Sequence, residues 1–198
     1  MNSASKPLTR NSEPGFSLLE MMVVIALIFI IAGIAIINIS GALPGEQTQA
    51  GLNAAVAVFR QGHDIAIAER RNFQLVIPSV SPPNQLGLER LEIGGGVTPL
   101  PVTTLPHPAQ FGLDPSITVA PESGLVQATC ANGLCFGGSP TQTWQPDGTF
   151  IQANGQPLSA VVYIMVPGNP GAQRAFTILG STGRIRTYRW NGSTWVLQ

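Results

Sequence analysis

From Met21 to Ile39 the chain runs nineteen residues in which only Gly33 and Asn38 interrupt an apolar series. A helix needs roughly 20 apolar residues to cross a bilayer, and the apolar core of a cleaved secretory signal is shorter, at ~7–15 residues. The run therefore predicts a helix that stays in a membrane. Lys6 and Arg10 precede it, and no Lys or Arg follows until Arg60. That bias places residues 1–15 on the cytoplasmic side and the remainder across the membrane. No proline occurs between Phe16 and Pro44, so Gly33 is the flexible point within the apolar run.

Glu20 interrupts the apolar stretch that begins at Phe16. A carboxylate at such a depth costs a few kcal/mol unless it is neutralised or paired, so it needs a partner. The run Gly15-Phe16-Ser17-Leu18-Leu19-Glu20, followed by Met21-Met22-Val23-Val24-Ile25, closely resembles the processing motif of type IV pilins and type II secretion pseudopilins at every motif position. The resemblance implies cleavage between Gly15 and Phe16 by a membrane aspartyl prepilin peptidase, and N-methylation of Phe16. It also gives Glu20 an assembly role, pairing with a neighbouring subunit's N-terminal amine when helices bundle into a filament. The expected location is the bacterial inner membrane, single-pass, with the C-terminal domain in the periplasm and later incorporation into a pilus or pseudopilus.

Beyond the apolar run, Gly41-Ala42-Leu43-Pro44-Gly45 is expected to break the helix. Leu52, Val56, Phe59, His63 and Ala66 then recur at helical spacing, predicting an amphipathic helix that ends near Arg71. The 22 glycines and 17 prolines lie between apolar segments, as turns and loops of a β-rich domain would. Short β-like runs are read at 73–77, 86–93, 117–120, 150–151, 161–166, 175–179 and 184–197. The expected fold is α+β: a long N-terminal hydrophobic helix continuing into an amphipathic helix packed on antiparallel sheet. The expected organisation is a leader at 1–15, a transmembrane and assembly helix at 16–40, and an exported domain at 41–198.

Charge is nearly absent, at 10% of residues, but unevenly placed. From Phe16 to Asp147 there are four arginines and nine carboxylates; from Gly148 onward there are Arg174, Arg184, Arg186 and Arg189 and no carboxylate. Asn191-Gly192 between two β-prone runs predicts a two-residue hairpin turn, with Trp190 opposite Ser193 and Tyr188 opposite Trp195. Period two then puts Arg184, Arg186, Tyr188 and Trp190 on one face. Arg184 and Arg186, with nearby Arg174 and Arg189, can contact phosphates, with Tyr188 or Trp190 available to stack on bases, or the strand can be a solvated one with ordinary surface arginines. Cys130 and Cys135 flank Ala131-Asn132-Gly133-Leu134, spacing that suits a small-loop disulfide in an oxidising compartment. A metal site would need further ligands, and the sequence holds only His63 and His107. His63-Asp64 is a single pair, and the one lysine, Lys6, follows no glycine-rich phosphate loop. An enzyme, a metal and a cofactor are therefore not expected.

The exported part carries a second resemblance. Phe59-Arg60, Ala66-Ile67-Ala68-Glu69-Arg70, Leu75-Val76-Ile77, Trp144-Gln145-Pro146-Asp147-Gly148-Thr149-Phe150, Phe176-Thr177-Ile178-Leu179 and Gly183-Arg184-Ile185-Arg186 look like the GspH/FimT group of minor pilins and pseudopilins. In that group the FimT branch is associated with DNA uptake through a C-terminal Gly-Arg-x-Arg motif, which Gly183 to Arg186 reproduces. The resemblance implies a minor pilin near the tip of a type IV pilus with DNA binding for natural transformation, or a minor pseudopilin of a type II secretion system. Implied partners are prepilin peptidase, other major and minor pilins or pseudopilins, the inner membrane and DNA. Mass spectrometry of the chain from cells with active prepilin peptidase should find a mature N-terminus at methylated Phe16; an intact Met1 leader would refute the processing.

Overall fold

The computed structural model describes residues 16–125, 130–139 and 141–198, the side chains of residues 35–42 excepted. Two compact units divide between Gly41 and Ala42. In the first, the Ser17 carbonyl accepts the Met21 N–H at 3.1 Å, and helix α1, Leu18–Glu69, starts there. Glu20 lies in its first turn, where a carboxylate is favourable beside the free N–H groups of a helix start. The large apolar side chains between Phe16 and Ile34 are exposed. Among the described residues no helix is long and apolar enough to cross a membrane; the undescribed side chains of 35–42 fall within and just after the apolar run.

The expected break at residues 41–45 does not occur, and α1 continues through Pro44. Pro44 has no N–H for the carbonyl four residues back, which ordinarily weakens a helix. The fully buried Thr48 hydroxyl reaches the carbonyls of Pro44 at 3.0 Å and Gly45 at 2.9 Å, tying the turn after the proline. At the other end Arg70 adopts a left-handed φ of 53° and Arg71 N–H reaches the Ala66 carbonyl, the bond pattern that closes many helices. Arg90 and Arg71 then fasten this end to the first sheet, Arg90 through Glu69 at 3.3 Å and Glu92 at 2.7 Å, and Arg71 through Glu92 at 3.5 Å.

Among its described residues the second unit holds two antiparallel sheets. The strands are β1 Phe73–Ser79, β2 Gln85–Leu91, β3 Val97–Pro99, β4 Thr103–Thr104, β5 Gln110–Phe111, β6 Cys130–Ala131, β7 Leu134–Cys135, β8 Gln142–Trp144, β9 Phe150–Gln152, β10 Ala160–Met165, β11 Arg174–Leu179, β12 Arg184–Trp190 and β13 Trp195–Leu197. The first sheet runs β3-β2-β1-β8-β9 with β4 beside β2; the second runs β13-β12-β11-β10-β7-β6 with β5 beside β10. Sequence patterning misses the two- and three-residue strands at 97–99, 103–104, 110–111, 130–131, 134–135 and 142–144, because so short a run shows no period. Residues 117–120, expected as a strand, form none. Pro115 and Pro121 bracket that segment, and a proline cannot donate to a ladder.

One face of α1 serves both sheets. Leu52, Val56, Phe59 and Ala66 are buried at the spacing expected from sequence, and Ala55 joins them; His63 is only partly covered. Phe59 meets Phe176 of β11 at 5.0 Å between ring centroids and Phe150 of β9 at 6.1 Å, so a single side chain joins the layers. Trp144 stacks obliquely on Phe150 at 4.6 Å and is fully buried.

The Asn-Gly pairs at 132–133 and 191–192 take different turns. Asn132-Gly133 forms the two-residue hairpin between β6 and β7, with φ of 50° and 75° and Ala131 paired with Leu134. Both angles are positive, as such a turn requires. At Asn191-Gly192 the expected register is wrong: Trp190 pairs with Trp195 and Tyr188 with Leu197. Asn191 Oδ1 instead accepts the N–H groups of Ser193 at 3.0 Å and Thr194 at 2.8 Å. A side chain that caps the backbone in this way opens a wider loop, and the Trp190–Trp195 ring pair at 5.3 Å closes it.

A Cβ at Gly62 would stand 2.5 Å from Trp144 Cδ1 and 3.0 Å from Leu88 Cδ2. Gly62→Ala should lower stability by about 1–2 kcal/mol, overpacking outweighing a helix-propensity gain of roughly 1 kcal/mol. Gln61→Ala, on the exposed face, should stay within about 0.5 kcal/mol of the parent. Thermal melting followed by tryptophan fluorescence checks both.

Candidate functional site

Strand β12 alternates across the second sheet. Ile185 packs into the core under α1, while Tyr188 belongs to a separate cluster on the outer face with Cys135, Val161, Tyr163 and Ala175. Period two therefore sets Arg184, Arg186, Tyr188 and Trp190 on the outer face, and Arg189 on the helix side. In β11, Arg174 shares the helix side with Phe176 and Ile178. The four arginines that form one patch in the linear sequence thus divide between two faces.

On the helix side Arg174 is 8% exposed. Its Nε donates to Gln49 Oε1 at 3.1 Å and its Nη1 to the Gln173 carbonyl at 3.4 Å. Burial lowers its pKa, and Arg189, its direct cross-strand neighbour, lowers it further against an opposing pull from Glu46. Arg174 is a buried, hydrogen-bonded guanidinium that holds α1 to β11. Arg189 is exposed beside it.

On the outer face a residue that sequence reading did not single out takes the centre. The Glu122 carboxylate accepts from the Tyr188 hydroxyl at 2.5 Å and the Thr177 hydroxyl at 3.2 Å. It also lies 3.4 Å from Arg186 Nη1 and 4.0 Å from Arg184 Nη2. Both guanidiniums stay close to half exposed, whereas the Glu122 side chain is 21% exposed. Burial pushes the Glu122 carboxyl upward, but the two hydroxyls and two arginines outweigh it and hold the group below its ordinary value. Burial, and then Glu122 itself, push the Tyr188 phenol up. No local signal could have found this partner, since Glu122 stands 64 residues from Arg186.

The segment bearing Glu122 is a loop laid on the outer face. Trp195 Nε1 donates to the Val119 carbonyl at 2.7 Å, and Leu113 and Leu125 pack on the outer cluster. Trp195 also stacks near Tyr163 at 5.6 Å. Both Trp190 and Trp195 are therefore partly engaged within the chain.

Gly183 of the Gly-Arg-x-Arg run has a packing reason of its own. Its φ is +66°, and a Cβ there would come within 2.5 Å of the Gly148 carbonyl oxygen and of His63 Cδ2. A side chain would push the loop off both neighbours. His63 is held edge-on to Trp144 at 5.3 Å and bonds Asp64 at 2.9 Å. Cys130 and Cys135 face each other across the β6–β7 hairpin and are joined as a disulfide. Among the described residues no group of three or more His, Cys, Asp or Glu can hold a metal. Phe16 is exposed and Glu20 lies in the first turn of α1; Gly15 lies outside the described residues.

The prokaryotic N-terminal methylation motif matches the chain over residues 10–36. That match supports a subunit of type IV pilin or pseudopilin type, a substrate of prepilin peptidase that assembles with other pilins. No curated protein and no solved structure matches the chain.

Because the folded pKa of Glu122 is depressed, its contribution to stability is present above the unfolded-chain value of roughly 4.3 and is lost as the pH falls through the folded value. The stability gap between the parent and Glu122→Gln should accordingly be widest near neutral pH and close in acid. Denaturant melts of both chains across that range measure it; a gap independent of pH would show that the carboxylate's charge does not hold the cluster.

Proposed function

We propose that this chain is a minor pilin-type subunit of a type IV pilus, of the GspH/FimT kind, anchored in the inner membrane by its apolar N-terminal segment and placed near the filament tip. The methylation motif across residues 10–36 is the observation that carries the pilin-type reading. In this reading residues 1–15 are removed after Gly15, Phe16 is methylated, residues 16–40 serve as membrane and assembly helix, and residues 41–198 form the exported domain. Glu20 near the start of α1 pairs with a neighbouring subunit's amine, and the chain is structural rather than catalytic.

DNA contact is the finer part of the proposal. Arg184 and Arg186 stand side by side on one face of β12 with nearly half of each side chain exposed, which supports phosphate binding that is weak, salt-sensitive and indifferent to sequence. Tyr188 is buried and donates to Glu122, so it supports the site from below rather than by stacking bases. Trp190 is the better stacking surface. Arg174, buried against α1, takes a structural part, and Arg189 adds positive charge on the other side of the sheet.

One observation favours a second reading, a minor pseudopilin of a type II secretion system. The Glu122 carboxylate offsets part of the positive charge at Arg184 and Arg186, as a surface that contacts only other subunits would allow. The two readings part at the arginines. Changing Arg184 and Arg186 together to glutamine in the full, detergent-solubilised chain should weaken binding to short fluorescent DNA duplexes several-fold across unrelated sequences. It should also flatten the salt dependence by roughly one to two released counterions. Melting within a few degrees of the parent separates a lost contact from a lost fold. No affinity of the parent even at low salt, or equal binding by the variant, leaves the pseudopilin reading standing.

A further inference from the structure

Four donors converge on one point of the outer face: the Tyr188 and Thr177 hydroxyls, 5% and 2% exposed by residue, and the Arg184 and Arg186 guanidiniums. Two buried hydroxyls and two open guanidiniums around a single oxyanion are the parts of an anion site. In the folded chain its occupant is a side chain of the same chain. Oε1 of Glu122 takes Tyr188, Thr177 and Arg186, and Oε2 faces Arg184.

We propose that Glu122 is an internal stand-in for a phosphate group, and that a phosphate-bearing polyanion binds by displacing this carboxylate from Arg184, Arg186, Tyr188 and Thr177. A backbone phosphodiester offers two free oxygens and one negative charge, as a carboxylate does, and a guanidinium can pair with either through two parallel N–H donors; a polyanion gains by presenting several such groups in a row. One carboxylate against two guanidiniums leaves the site a net single positive charge, so a polyanion is still attracted while the site is filled. Ion pairs this exposed hold weakly in water, so the occupant lowers affinity without closing the site.

The chain around Glu122 can release it. The backbone bond within its turn is local, from Leu125 N–H to the Glu122 carbonyl at 3.4 Å. Ser123 and Gly124 are exposed, and a Cβ at Gly124 would meet nothing within 4 Å. The loop is tied instead on either side, by Trp195 to Val119 and by the packing of Leu125. Rotation of one side chain therefore empties the site and leaves both sheets and both ties in place. The release exposes Arg184 and Arg186 together, which makes them a coupled pair and gives a dense row of phosphates the advantage over a single small anion.

This inference deepens the DNA-contact proposal and rests on it for the identity of the polyanion, so two probes are used. In the full, detergent-solubilised chain, Glu122→Gln should tighten binding of a short DNA duplex by roughly three- to ten-fold, the worth of two exposed ion pairs removed, and should steepen its salt dependence. Adding Arg184→Gln and Arg186→Gln should abolish that gain. The second probe needs no variant: inorganic pyrophosphate should raise carbodiimide labelling of Glu122, read by peptide mass spectrometry, several-fold relative to the open Asp64 carboxylate. Tighter DNA binding together with raised labelling supports the displacement. Raised labelling with no DNA affinity in any chain ends the DNA reading and leaves the phosphate site standing. DNA binding that depends on the arginines but is no tighter in Glu122→Gln, with labelling unchanged by pyrophosphate, overturns the displacement and leaves the DNA reading intact.

Discussion

Both sheets depend on a single helical face that must satisfy two partners at once. Phe59 reaches Phe150 in the first sheet and Phe176 in the second, and one turn further along, Gly62 clears the space that Trp144 fills. A larger residue at 62 would separate the helix from β8; a smaller one at 59 would remove a ring that touches both sheets. Burial of these rings supplies a large part of the driving force available to a chain with so few charges. The same packing presses His63 against Trp144, and it seats Gly148 and Gly183 on His63. The loop that opens β12 is thereby placed, and with it the start of the arginine pair.

The outer face has a different logic. Its apolar patch around Val161, Tyr163, Ala175 and Tyr188 would be open to water if the sheet had only α1 to cover it. The segment between Leu113 and Leu125 covers it, and because it pairs in no ladder, it is held by side chains: the Trp195 indole, Leu113, Leu125 and Glu122. Covering the patch and neutralising part of the arginine charge are then one act of folding. The methylation motif at the N-terminus and this charged face at the C-terminal strands make separate demands, the first for assembly and the second for whatever meets the finished surface.

Much of this was legible in the residues. The apolar run, the Gly-Phe-Ser-Leu-Leu-Glu series, the helical spacing from Leu52 to Ala66 and the period-two face of β12 all follow from local chemistry, since each depends on neighbours within a few positions. Local chemistry also misled. Pro44 reads as a helix end, yet α1 passes through it with Thr48 bonded to the following turn. Asn191-Gly192 reads as a tight two-residue turn, yet the Asn191 side chain widens it, whereas the same pair at 132–133 takes the tight turn beside a cross-strand disulfide.

By itself the sequence determined the motif for N-terminal processing, the α+β class and the alternation that puts Arg184, Arg186, Tyr188 and Trp190 on one face, because spacing along a helix or strand needs no knowledge of the fold. Only the tertiary structure decided that Arg174, on the neighbouring strand, joins Arg189 on the opposite face, and that a stretch without any carboxylate in its own sequence meets one in space. Pairing of β11 with β12 settles the first. The second comes from a loop 64 residues away in the chain, brought to the arginines by the need to cover apolar surface rather than by any pattern that the residues around it carry.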